Sequence, residues 1–142
     1  MVRGNRQSNK YRNLLNEAIN KSDITGIFDS IFTIWVEELV SEIHFKPSER
    51  YWIIAILKEW VTDELIQYPL SLHKSIILKL KIESGQMNPD VSNVPQEARV
   101  SIITKTYKEA NLYVKIIPVA EWEELIIQIV RSPNNMQNPS LW

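Results

Sequence analysis

Spaced 100° apart, the apolar residues of this chain fall repeatedly into single arcs, and each arc predicts a helix. From about Asn9 to Asn20, residues Tyr11, Leu14, Leu15, Ala18 and Ile19 share one stripe. The polar run Asn20-Lys21-Ser22-Asp23 closes it and offers Ser22 or Asp23 as the next N-cap. Between Ile24 and Ile43 the apolar positions, among them Ile27, Phe28, Ile31, Trp35 and Leu39, again take one side. Thr25, Asp29, Thr33, Glu37 and Ser41 mostly take the other, which predicts a second, amphipathic helix.

Pro47 ends that segment and is suited to open a third, because a proline in the first turn loses no intrahelical hydrogen bond. In this third segment, which contains YWIIAILKEWV, residues Ile53, Ile54, Ile56, Leu57, Trp60, Val61 and Leu65 cover half a helix, and Lys58, Glu59, Thr62 and Asp63 form a polar strip. Trp52 and Ile66 lie at the flank. A helix this apolar either runs through the middle of a domain or also supplies a subunit contact.

A fourth segment, Ser71 to Gly85, ends on a glycine suited to the C′ position. Leu78-Lys79-Leu80-Lys81-Ile82 also alternates with period two, so a short strand near 76–82 is the alternative there. After the polar connection QMNPDVSNVP, Asn93 and Gln96 have the spacing of a capping box. Val100, Ile103, Tyr107, Ala110, Val114 and Ile117 then repeat by threes and fours, a pattern set above the β-branched content of RVSIITKTY. Pro118 breaks this fifth segment. A last helix, Ala120 to Arg131, turns Trp122, Leu125, Ile126, Ile129 and Val130 inward and places Glu121, Glu123 and Glu124 near its positive end. The expected fold is all-α, a single-domain bundle of about six helices over residues 9–131, with α+β carrying a short strand near 76–82 as the alternative. A basic flexible arm over 1–8 precedes the domain, and a polar tail with an apolar end follows over 132–142.

With 142 residues, 44% of them hydrophobic and 23% charged, the chain has the size and composition of one globular domain with one core. Its net charge of -1 exerts no global pull toward nucleic acid or anionic membrane. The longest apolar run, Tyr51 to Leu57, is far short of the ~18 residues of a membrane span. MVRGNRQSNKYRN is basic but lacks the apolar stretch of a secretory leader. Cysteine is absent, which removes disulfides and thiol catalysis and is compatible with the expected cytoplasmic location.

Catalytic signatures are missing as well. The three glycines, Gly4, Gly26 and Gly85, form no phosphate-cradling GxGxxG or GxxxxGK[ST] loop. The two histidines, His44 and His73, lie in separate segments and read as ordinary helix-terminal residues. Glu37, Glu38, Glu42, Asp63 and Glu64 read as solvated faces, Glu64 alone projecting into an apolar half. No catalytic residue, cofactor or metal is therefore expected.

Three features point to binding. Arg3, Arg6, Lys10 and Arg12 precede the first acid, Glu17, with Tyr11 among them, a set able to contact phosphates and stack on a base. Trp52 and Ile66 flank the third segment where a second chain would cover them, whereas Trp35 and Trp60 are placed in the core. Leu141 and Trp142 end the chain as a terminal apolar pair suited to a partner's groove. The leading expectation is a non-enzymatic protein–protein interaction module, an adaptor, assembly factor or regulator that also self-associates. The alternative is a small nucleic-acid-binding regulator using the basic arm; an enzyme with a dispersed site comes third.

Overall fold

Even-numbered spacing, not threes and fours, governs six segments of the chain, against three helices. The computed structural model describes residues 6–107, 109–120 and 122–130, the side chains of 6–8 excepted. Three helices, α1 (Arg6–Asn20), α2 (Ile24–Glu38) and α3 (Leu70–Ser84), accompany six strands: β1 (Glu42–Pro47), β2 (Trp52–Lys58), β3 (Val61–Tyr68), β4 (Gln96–Ile102), β5 (Ala110–Val119) and β6 (Trp122–Ile129). The strands make one antiparallel sheet in the order β3-β2-β1-β6-β5-β4. Each half is a three-stranded meander, and the halves join where Ile43 faces Ile127 and Phe45 faces Leu125.

The all-α bundle is thereby corrected to an α+β fold. In β4, Ala98, Val100 and Ile102 are buried while Glu97, Arg99 and Ser101 are exposed. In β5, Ala110, Leu112, Val114 and Ile116 are buried between half-buried neighbours. A period of two is what one covered sheet face imposes. The series from Val100 to Ile117 by threes and fours was a coincidence that counted Ile103, which is 74% exposed. The third predicted helix fails for a different reason. Residues 52–56 of β2 are all buried, so both faces of the strand are covered. A strand covered on both faces reads as an unbroken apolar run, which a helical projection also accommodates. The sixth predicted helix is β6. Near 76–82 the alternative strand does not form: α3 runs through it and ends at Gly85, whose φ of 65° is the left-handed C-cap.

Local chemistry fixes the helices that remain. Asp23 caps α2, its Oδ1 accepting the Gly26 N–H at 3.0 Å. α1 and α2 form a hairpin closed at its far end by Tyr11, whose hydroxyl donates to Glu37 (2.9 Å) and Glu38 (3.0 Å). By register, Trp52, Ile54 and Ile56 share the helix-covered face with Ile43, Phe45, Leu125 and Ile127. These join Phe28, Ile31, Phe32, Leu72, Ile76 and Leu80 from the helices in one core cluster. The opposite face carries His44, Ala55, Ile126 and Lys115 in one row. There Lys46 reaches Glu64 at 3.5 Å across β2, a bridge that roofs Ile53 and Ala55.

The two sheet edges differ. On β3 the pairing shifts next to Leu65, and Arg12 of α1 donates to the carbonyls of Leu65 (3.0 Å) and Glu64 (3.4 Å). A guanidinium that consumes edge carbonyls, beside a bulge, blocks further strand addition. Replacing Arg12 with Leu is expected to cost about 1–2 kcal/mol, as lost charge-assisted hydrogen bonds do. It should also promote aggregation through β3. Urea unfolding and light scattering measure the two effects separately.

Candidate interaction site

Chemistry-bearing side chains gather in two places. The first is a buried polar hub between α3 and the sheet. His73 follows the start of α3 by one turn, where its ring stacks on Trp52 with centroids 3.5 Å apart and planes 10° from parallel. Its Nε2–H donates to the Glu123 carbonyl at 2.6 Å, and Nδ1 accepts the Tyr68 hydroxyl at 2.7 Å. A carbonyl can only accept, so the neutral tautomer is fixed. Burial holds the His73 pKa down to about 4, partly opposed by the bond to the Glu123 carbonyl, and raises that of Tyr68. With both ring nitrogens engaged, His73 has none left for a substrate.

The side chain of Glu123 holds Lys81. Lys81 Nζ lies 2.9 Å from each carboxylate oxygen and donates to the Val91 carbonyl at 2.6 Å. The two side chains are only 2% and 9% exposed. Oε1 receives a well-directed hydrogen bond; Oε2 has none among the described residues. Beside the pair opens a cleft of about 240 Å³ lined by Lys74, Ile77, Asp90, Ser92 and Trp122, with the Lys74 ammonium 4.5 Å from the centre of the Trp122 ring. Such a buried pair specifies the seating of α3 more than it adds net stability. Among the described residues no three His, Asp or Glu side chains converge as metal ligands.

The second place is the tip of the β2–β3 hairpin. Lys58 pairs with Val61, so Glu59 and Trp60 alone make the turn, with φ of 51° and 68°. Positive φ at both positions is the type I′ geometry, which favours Asn-Gly and costs other residues about 1–2 kcal/mol each. Trp60 is 95% exposed. Leu39, the left-handed C-cap of α2, and Val61 are exposed too. Lys58 bonds Glu38 at 2.8 Å and the Ser41 N–H bonds the Leu57 carbonyl at 2.8 Å, which brings the end of α2 to this tip. A hollow of about 360 Å³ beside Trp60 is lined by Ser41, Glu42, Leu57, Glu59 and Gln128.

The rim is acidic. Hydrogen bonding from Lys58 holds the Glu38 carboxyl below the usual range, and bonds from His44 and Gln128 do the same for Glu42. Both therefore stay ionised at neutral pH. Strained backbone, an unburied indole and a carboxylate rim together suit docking of an apolar segment that carries cations.

Trp60, assigned to the core by the helical projection, is thus a surface residue. The signal that could have placed it is Lys58-Glu59, two polar residues interrupting the apolar run where a hairpin must turn. Neither Asn nor Gly marks the turn. Trp52 is buried against His73, and Ile66 is half-buried on β3. Tyr11 is buried; Lys10 lies 3.1 Å from Glu37, and Arg12 is engaged by β3. Arg3, Leu141, Trp142 and the side chain of Arg6 lie outside the described residues. No helix among the described residues is long and apolar enough to cross a membrane.

Two outcomes test the hub. The folded state binds fewer protons at His73 than the unfolded chain between pH 6.5 and about 4. The stability tied to neutral His73 is complete above pH 6.5 and falls as pH drops through that window, by about 2 kcal/mol at pH 5. A His73→Gln variant should lose that pH slope in urea titrations. Lys81→Met, which leaves Glu123 buried without its cation, should cost about 3–5 kcal/mol, and adding Glu123→Leu should recover most of it.

No family model matches the chain. Over 114 residues it is 25% identical to the type IV pilus assembly ATPase TfpB of Acinetobacter baylyi. The aligned region is 80% of this chain and 19% of that protein, so the chain spans about a fifth of its relative's length.

Proposed function

We propose that this chain is a non-enzymatic attachment module of an assembly machine, which uses the β2–β3 hairpin tip to hold a basic, apolar segment of another protein. The observation that carries the reading is Trp60, 95% exposed on a turn where Glu59 and Trp60 both occupy the left-handed region. The hairpin requires this backbone, but not this residue: Gly would relieve the strain at position 60, and a large apolar side chain presented there to water has no folding rationale. The likeness to part of a pilus assembly ATPase supports the assembly setting. The 142 residues hold no GxxxxGK[ST] loop, so within this proposal the chain contributes attachment and not ATP hydrolysis.

Replacing Glu59-Trp60 by Asn-Gly supplies the residues the turn favours and is expected to stabilise the fold by about 1–2 kcal/mol while abolishing partner binding. Trp60→Ala should leave the melting temperature unchanged and also abolish binding. Affinity capture from the native cell, run in parallel with wild type and both variants and with Ser75→Ala on α3 as a control outside both surfaces, reads this directly. Proteins retained by wild type and control but lost from both hairpin variants support the proposal; equal retention by Trp60→Ala overturns it.

A further inference from the structure

The outer edge of β4 is open, in contrast to that of β3. β4 ends the sheet at Gln96–Ile102. It pairs with β5 at every residue from Gln96 to Ile102 without the register shift seen between β2 and β3. Among the described residues no other strand pairs with it on that side. A regular edge of this length is a template for another strand unless something blocks it. The charges on β4 indicate which strand.

Glu97, Arg99 and Ser101 point to the helix-free face; Ala98, Val100 and Ile102 point to the core. Glu97 accepts a hydrogen bond from the Tyr113 hydroxyl, while Arg99 is exposed and has no ion pair among the described residues. Suppose the added strand is β4 of a second copy, running antiparallel about a twofold axis. Residues that face each other must then belong to the same side of the sheet, so the axis passes through a residue and not between two. With the axis at Glu97 two carboxylates oppose each other; at Arg99 two guanidinium groups do. At Val100, Glu97 faces Ile103. With the axis at Ala98, each Glu97 faces Arg99 of the second copy, giving two opposite-charge cross-strand pairs on one face and the smallest core-side residue of β4 on the axis.

We propose that two copies of this chain associate edge to edge through β4, in the register that sets Ala98 against Ala98 of the second copy and joins the two sheets into one. The site is separate from the hairpin tip, and the inference does not depend on it. It also gives self-association a different place from the flank of Trp52, whose ring is buried within a single copy.

Charge reversal and cross-linking test it on the whole chain. Sedimentation equilibrium of wild type at tens of micromolar should show a dimer. Arg99→Glu or Glu97→Arg turns two attractive pairs into two repulsive ones and is expected to weaken association about tenfold or more. The double exchange Glu97→Arg/Arg99→Glu restores it. The chain has no cysteine of its own, so cross-links report only the introduced residue. Ala98→Cys places two Cα atoms ~5 Å apart across the axis, within disulfide reach, and should oxidise to a covalent dimer. Val100→Cys, ~13 Å from its counterpart in this register, should not. A monomeric wild type overturns the proposal, as does a dimer indifferent to both single reversals. So does cross-linking through Val100 but not Ala98, which would fix a different register.

Discussion

Glu123 is the residue on which the seating of α3 depends. Its carbonyl accepts a hydrogen bond from His73 and its carboxylate accepts one from Lys81, two residues of α3 that are eight positions apart. A helix packed by apolar contacts alone can slide or rotate with little loss, because such contacts are not directional. Two hydrogen-bonded anchors about two turns apart remove both freedoms. The stacking of His73 on Trp52 then ties the same helix to β2, in the other half of the sheet.

That seating has consequences at both ends of the molecule. α3 links the two meanders in sequence, and β1 and β6 link them in space, so the six strands form one continuous sheet. Within it the β3 margin is closed by a bulge and the Arg12 guanidinium, whereas the β4 margin is regular and carries alternating charge. A rigid scaffold also lets the β2–β3 turn hold two residues at positive φ, since the seven paired positions of the hairpin legs over-determine the conformation of the tip. Strain persists where surrounding structure enforces it.

Apart from the buried hub, the β2–β3 tip and the β4 edge are two exposed surfaces of the sheet. The two surfaces differ in kind. The hairpin tip offers side chains, an exposed indole beside Glu38, Glu42 and Glu59. The β4 edge offers main-chain donors and acceptors, flanked by the alternating Glu97 and Arg99 that would set the register of the proposed dimer. The tip and the edge belong to strands on opposite sides of the sheet, so occupation of one leaves the other accessible.

How much of this was legible in the residues varies along the chain. Asp23 as an N-cap, Gly85 as a C-cap and the stripe from Tyr11 to Ile19 are local signals, decided by neighbours within a turn or two, and they identify α1, the start of α2 and the end of α3 correctly. The alternation Ala110-Leu112-Val114-Ile116 was equally present and lost only to a coincidental count. The strand nature of residues 52–56 was not local. Whether an apolar run is a central strand or a buried helix depends on whether β1 and β3 are there to pair with it and helices to cover it. The candidate sites share that dependence. Composition and motif content by themselves determined that these 142 residues have the size and apolar content for one core and contain neither cysteine nor a GxxxxGK[ST] loop. Only the tertiary structure decided that Trp52 is buried and Trp60 exposed, because side-chain environment follows from strand register and turn position, which pairing partners distant in sequence impose.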